Sequence, residues 1–227
     1  AAGQRGHANH GWLETNHSFS FSDYYDPRHM GFRTLRVIND DRIAPASGFP
    51  THPHRDMEIL TYVLSGELAH RDSMGFGSII RPGQIQRMSA GTGIRHSEYN
   101  ASETEELHLL QIWIKPERTG LQPSYEEKQL PVGTREGSLH LIASRDGGDD
   151  AVVIHQDVRV YASILEAGQQ VSHDLTAGRY SWIQIARGEV DVGGTVLRQG
   201  DGAHGGGAQS LVITGRKPAE LLLFDLA

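Results

Sequence analysis

An all-β protein, built as two barrels in tandem with little helix, is the fold class the sequence predicts, and three observations predict it. Short apolar or alternating runs recur between Gly, Pro, Asn and Asp, the pattern of strands separated by tight turns, and Gly 27 and Pro 9 in 227 residues supply turns on that scale. No long window carries a helical period, the best short one lying near Tyr125 to Leu130. The pattern of the first half also returns in the second half in the same order.

Taken along the chain, residues 1–30 are polar and aromatic, without the apolar core of a signal peptide, which predicts a cytoplasmic location. Strands are expected at Leu35-Arg36-Val37-Ile38, closed by Asn39-Asp40-Asp41, and at residues 59–64, closed by Ser65-Gly66. Others are expected at residues 107–114, closed by Lys115-Pro116, and at residues 181–186, closed by Arg187-Gly188. Val63-Leu64-Ser65-Gly66-Glu67-Leu68 is echoed by Ile185-Ala186-Arg187-Gly188-Glu189-Val190, Ile80-Arg81-Pro82-Gly83-Gln84 by Leu197-Arg198-Gln199-Gly200-Asp201, and Glu106-Leu107 by Glu220-Leu221. Between the copies, residues 115–150 are rich in Pro, Gly and charge. The chain is therefore expected to divide into an N-terminal barrel over residues 1–130 and a C-terminal barrel over residues 131–227.

Composition excludes several functions. Lys+Arg 21 against Asp+Glu 28 gives a net charge of −7, which argues against direct binding to a nucleic-acid backbone. With no Cys there is no disulfide scaffold, thiolate metal site or Cys nucleophile. No run approaches the roughly 18 apolar residues of a membrane-spanning helix. The excess that remains is histidine: of 13, nine fall in the first 108 residues, and histidine is the commonest side-chain metal ligand.

Two clusters organise these histidines. In Gly48-Phe49-Pro50-Thr51-His52-Pro53-His54-Arg55-Asp56-Met57-Glu58, His52 and His54 are two apart. On a strand both imidazoles point to one face with Cα atoms about 6.5 Å apart, so two ring nitrogens can converge on one ion. Pro53 cannot donate a ladder hydrogen bond, which puts this piece at an edge or a barrel mouth. Glu58 has the same parity and joins the pair if the strand continues. In the second cluster, residues 91–100, His96 and Glu98 again stand two apart, behind Gly91 and Gly93, which permit a tight turn. Two such strands side by side give three imidazoles and one carboxylate around one point. One or two coordination positions stay open, as in a working rather than a structural metal site. Nitrogen and oxygen ligands without sulfur suit one divalent transition metal: Fe(II), Mn, Co, Ni, Cu or Zn.

A histidine on a strand face is more often an ordinary polar residue than a ligand, and a lone His-x-His is common; the weight comes from the second paired set in the same β unit. His7, His10, His17 and His29 are read as surface or loop residues, His70 and His108 as structural or supporting, and Trp113 and Trp182 as core. In the second half the matching pair falls near Asp174 and Thr176, with only His173 close, and the match to His96 falls near Ile213. The second barrel is expected to be metal-free.

These residues resemble the two cupin motifs, Gly48…His52-Pro53-His54…Glu58…Gly66 the first and Gly93-Ile94-Arg95-His96-Ser97-Glu98-Tyr99-Asn100 the second. More finely, Phe19-Ser20-Phe21, Tyr24-Tyr25-Asp26-Pro27, His70-Arg71-Asp72-Ser73 and the run from Met88 to Asn100 resemble the pirin-like bicupins, densely over about residues 5–125 and only in layout afterwards. The resemblance implies two cupin-type (jelly-roll) barrels with one metal, Fe(II) foremost, in the first. It implies His52, His54, His96 and Glu98 as ligands, whereas many other cupins take the carboxylate from the first motif, here Glu58. Some pirin-like proteins resemble quercetin 2,3-dioxygenases in activity. That implies cleavage of a flavonol, or another small planar enol, by O2, with Glu98 catalytic as the proton acceptor. Others are described as regulators. The alternative is a metal-binding, redox-sensing protein that acts through a protein partner, its barrel mouth plugged by residues 6–30.

Overall fold

A computed structural model describes all 227 residues and is built almost wholly of strands; no helix is long and apolar enough to cross a membrane. The chain divides into two compact units, one of Arg5–Gln129 with Val152–Gln156, the other of Ala1–Gln4, Leu130–Ala151 and Asp157–Ala227.

The first unit contains β1 (Gly6–Asn9), β2 (Leu13–His17), β3 (Leu35–Ile43), β4 (Gly48–His54), β5 (Glu58–Ser65), β6 (Leu68–Asp72), β7 (Gly77–Ile80), β8 (Gln84–Ser89), β9 (Ile94–Asn100), β10 (Leu107–Ile114), β11 (Ser124–Gln129) and the two-residue β13 (Val152–Val153). One sheet runs β1-β2-β3-β10-β5-β8-β11 and the other β4-β9-β6-β7, so the unit is a jelly roll of two sheets that stay separate, not a closed barrel. The short window that reads most like helix, Tyr125 to Leu130, is instead β11, paired with β8 from Ser124↔Ser89 to Gln129↔Gln84. The ladder on offer outweighs a local helical preference.

Side chains alternate across a strand. On the face of β5 and β10 that turns into the unit, Leu109 pairs with Val63, Gln111 with Thr61 and Trp113 with Ile59. Val63 and Leu109 belong to an apolar cluster with Leu13, Ile43, Leu68 and Leu107. Ile59 belongs to another, with Met88, Ala90 and Ile94, against which Trp113 packs. Thr61 and Gln111 lie between the two, both buried. The core of this unit is thus interrupted by a polar belt.

The second unit contains β12 (His140–Ser144), β14 (Val158–Leu165), β15 (Gln170–Leu175), β16 (Tyr180–Arg187), β17 (Glu189–Val192), β18 (Thr195–Arg198), β19 (Gly202–Gly206), β20 (Gln209–Gly215) and β21 (Ala219–Leu226). Its sheets run β12-β14-β21-β16-β19 and β15-β20-β17-β18, the same layout. One of its core clusters is apolar throughout and includes Ile183, Leu211, Ile213, Leu221 and Leu223.

The internal repeat is structural. Gly66 and Gly188 make the same turn at φ +82° and +77°; a Cβ would stand 2.7 Å from the Glu106 carbonyl oxygen at one and 1.9 Å from that of Pro218 at the other. Only glycine fits such an approach. Glu106 is therefore equivalent to Pro218, two residues before the Glu220 that the sequence repeat suggested.

Candidate metal centre

The two histidine clusters meet because β4 and β9 pair. β4 is an edge strand, which accommodates Pro50 and Pro53. Phe49 lies opposite Glu98 and His52 opposite His96, so three residues of β4 span two of β9, a β-bulge at Pro50-Thr51. The bulge resets the parity and brings Phe49, His52 and His54 onto one wall. Gly48 allows the approach, since a Cβ there would stand 2.2 Å from the Glu98 carbonyl oxygen. Beyond His54 the chain turns at Asp56 (φ 49°), whose N–H donates to the Gly91 carbonyl at 2.9 Å. That turn ends β4 and ties it to the Gly91-Thr92-Gly93 turn leading into β9.

The three imidazoles converge. Ring centroids are 4.8 Å apart for His52 and His54, 4.4 Å for His52 and His96 and 4.8 Å for His54 and His96. His52, His54 and His96 form a group whose ligand atoms lie within 4.8 Å of one another, and His70, His96 and Glu98 form a second such group. The four residues singled out in the sequence are thus distributed over two overlapping groups that share His96. Nδ1 of His52 donates to the Pro50 carbonyl at 2.8 Å, which leaves its Nε2 with a free lone pair. Neither nitrogen of the buried His96 has a hydrogen-bond partner. Burial, then the charges of His52 and His70, push the pKa of His96 down to about 3. Burial, then His96 and His52, push that of His54 down to about 4. Both rings are therefore neutral at pH 7, the form that binds a metal. Glu98 is held by one side chain: Nε2 of Gln111 donates to both its oxygens, at 3.1 and 2.9 Å, while Oε1 of Gln111 accepts from the Thr61 hydroxyl at 3.1 Å.

Beside these groups is a cavity of about 300 Å³, lined by His52, His54 and Glu98 and walled by Phe21, Phe49 and Trp113. Trp113, read from the sequence as core, stands edge-on to His54 with centroids 4.9 Å apart and to Phe21 at 5.2 Å. Of residues 6–30 only Phe21 lines this cavity, so the segment forms part of a wall and not a plug. A second cavity of about 270 Å³ shares Phe21, Asn39, Asp41 and Phe49 with it and adds His17. His17 is not a surface residue: it is buried on β2, and its Nδ1 donates to Asn39 Oδ1 at 2.8 Å.

Glu58 stands elsewhere. It is the neighbour of the cavity-lining Ile59 on β5 and so faces the other way. There it accepts from the Ser89 hydroxyl at 2.9 Å and from the backbone N–H and Nδ1 of His155, both at 3.2 Å. The sequence also missed Gln111, Asn39 and Asp41. Gln111 is a polar residue inside an apolar run that predicts a strand, whereas Asn39 and Asp41 belong to the run expected to close the strand at Ile38. The structure corrects that expectation, because β3 continues from Leu35 to Ile43 with both residues paired to β2 and β10.

In the second unit His173 pairs with Leu211 as His52 pairs with His96. The counterpart of His96 is thus Leu211 and not the Ile213 suggested by the sequence. Nε2 of His173 donates to Asp225 at 2.9 Å, and Arg179 bonds both Asp225 and Asp157. A resident guanidinium neutralises the carboxylates there, and both metal-capable groups lie in the first unit.

Comparison with known proteins places the chain among relatives of the same fold. Residues 1–114 match the family model described as Pirin, and residues 141–226 match that of the quercetinase C-terminal cupin domain. Quercetin 2,3-dioxygenase of Escherichia coli strain K12 is 49% identical over 225 residues, 99% of this chain and 96% of that protein. The crystal structure of YhhW from Escherichia coli superposes with a TM-score of 0.96 at 48% identity, covering 100% of this chain and 96% of that one. A structure of bacterial pirin YhhW in complex with nickel(II) gives 0.93 at 49% identity, covering 99% and 96%.

Proposed function

The chain belongs to the pirin family, and on that footing we propose that it is a metal-dependent dioxygenase that opens a flavonol such as quercetin with O2. The observation that carries the reading is the His96 ring: buried, with both nitrogens unbonded, and in one tight group with His52 and His54 at the wall of a cavity. A buried polar atom without a partner costs about 1–3 kcal/mol, a cost that a cation accepting the lone pair offsets. The donor set fits such an ion, with neutral imidazoles and one carboxylate and no sulfur. His52, His54, His96 and Glu98 would hold it, in the N-terminal domain alone, with the C-terminal domain metal-free. Fe(II) leads among the ions by family resemblance, and nickel(II) is the ion of the YhhW complex.

Bound there, the ion would supply Lewis acidity toward an enolic oxygen and redox chemistry toward O2. The residues do the rest. Phe21, Phe49 and Trp113 form an aromatic slot that orients a planar ring system and keeps water away. Glu98 takes the proton of the substrate hydroxyl, and Gln111 holds the carboxylate in place as it does so. One O2 is consumed and one CO released per ring opened. A regulatory role would be favoured by a filled mouth, and the open cavity supports the enzyme.

The test is oxygen uptake and CO release with quercetin on metal-replete protein. Activity is expected in the wild type and its loss in His52→Ala and Glu98→Ala. A wild type that consumes no oxygen, or variants that keep full activity and metal content, would overturn the assignment.

A further inference from the structure

The polar belt contains one group that the reaction above leaves unused. Asp41 lies on β3, paired with Thr15 of β2 on one side and Leu109 of β10 on the other. It is 3% exposed, and its Oδ1 has no hydrogen-bond partner. Several polar side chains near it are engaged, Gln111 with Glu98 and Thr61, Asn39 with His17 and Asp40 with His108 and Arg5, while the hydroxyl of Thr15, directly opposite on β2, is also buried without a partner. Asp41 lines both cavities, at the wall they share. An unbonded buried carboxyl oxygen is costly, and it is placed where a ligand reaching past the metal-side cavity would meet it.

We propose that Asp41 is a specificity-determining residue that hydrogen-bonds a hydroxyl on the part of a polyphenol remote from the metal, so that ligands hydroxylated there are preferred over ligands that are not. This rests on the dioxygenase reading for the substrate class. A carboxyl suits a hydroxyl whichever form it takes: ionised it accepts the hydroxyl proton, and neutral it can donate as well. In the metal-free protein burial pushes its pKa up to about 7, opposed by Thr15 and reinforced by the charges of Asp40 and Glu98. A ring bearing only C–H in that place would leave Oδ1 unbonded, which is how a buried polar group rejects an analogue lacking the matching hydroxyl.

The experiment compares anaerobic binding of two probes to nickel-loaded protein by fluorescence quenching. Quercetin and galangin share the 3-hydroxyl and 4-carbonyl, and galangin lacks the hydroxyls of the pendant ring. Wild type is expected to bind quercetin at least about ten-fold more tightly than galangin, well inside the discrimination a buried polar group can give. Asp41→Leu should bring the two within about three-fold by weakening quercetin alone, while Asp41→Asn, which can still bond a hydroxyl, keeps the preference. If Asp41→Leu does not fold, Asp41→Ala takes its place. Equal binding of the probes by wild type, binding of neither, or a preference unchanged in the apolar variant overturns the assignment. Oxygen uptake is read separately. A discrimination that depends on Asp41 without turnover sinks the dioxygenase reading and leaves Asp41 as a ligand contact; turnover without discrimination does the reverse.

Discussion

Gln111→Leu tests how the carboxylate of the site is held. In the folded chain the Gln111 amide is the donor to both oxygens of Glu98, and its carbonyl takes the Thr61 hydroxyl. Leucine is compatible with this fold at this depth, because the equivalent pair in the second unit, Ile183 opposite Leu223, is apolar and fully packed. The variant should therefore fold, and what it loses is the hold on Glu98. A hydrogen bond to a charged group is worth about 1.5–3 kcal/mol; both contacts come from one nitrogen, so they count as one such interaction. Loss of a group that orients a metal ligand lowers metal affinity by roughly 10- to 100-fold, about 1.4–2.7 kcal/mol, which agrees with that range. Competition between the protein and a chromophoric chelator for nickel(II) reads the change directly, and kcat/KM with quercetin should fall at least as far. Thr61→Val, which frees only the far side of the Gln111 amide, should show a smaller loss. A Gln111→Leu protein with native circular dichroism and nickel affinity within about three-fold of wild type would refute the reasoning, since Glu98 would then either not ligate or not need Gln111 to do so.

Three other outcomes follow from the same structure. Glu58→Gln should keep its metal content, because Glu58 faces Ser89 and His155 and not the cavity, while losing about 1–3 kcal/mol in urea denaturation; loss of metal in this variant would return Glu58 to the ligand set. His54 and His96 have folded pKa values lowered to about 4 and about 3. Their contribution to the stability of metal-free protein is therefore complete above the unfolded value near 6.5 and is lost as pH falls through the folded values. Unfolding free energy measured from pH 7 to pH 3 should decline, and a His96→Leu variant should decline less steeply; parallel curves would count against the burial argument. Gly188→Ala should cost at least about 2 kcal/mol more than Gly168→Ala, for both need a left-handed residue at about 1–2 kcal/mol, but a Cβ at 188 meets the Pro218 carbonyl at 1.9 Å whereas nothing lies within 4 Å of one at 168; equal losses in the two variants would show that the close approach is not rigid.

Much of this was legible in the sequence, and what was not has identifiable causes. His52, His54, His96 and Glu98 stood out because strand parity pairs residues two apart, and the pairing of β4 with β9 brought those pairs together. The bulge at Pro50-Thr51 left no trace in spacing, so the placement of Phe49 on the same wall as His52 could not be read. The apparent parity of Glu58 failed because it assumed a continuous strand, which Asp56 breaks by adopting a positive φ. Gln111 was hidden inside an apolar run that predicted its strand correctly, whereas Asn39-Asp40-Asp41 has the composition of a turn and is instead carried into β3 by pairing on both sides with β2 and β10. Which face of a strand a polar residue takes matters only once its neighbours are known.

The second unit supplies what a single jelly roll could not, an internal control on why those polar residues are there. Strand registers make Thr61 equivalent to Ile183, Gln111 to Leu223, His96 to Leu211 and Glu98 to Ile213. At each of these positions the fold accepts an aliphatic side chain, and the four belong to one apolar cluster. The layout of sheets and the glycine turn at 66 and 188 are common to both units, so they belong to the architecture. The belt across the first unit is not required by it. The buried nitrogens of His96, left unbonded there, weaken the unit relative to Leu211 at the equivalent position. Residues that a fold can do without, and that lower its stability where they stand, are best explained by what they bind.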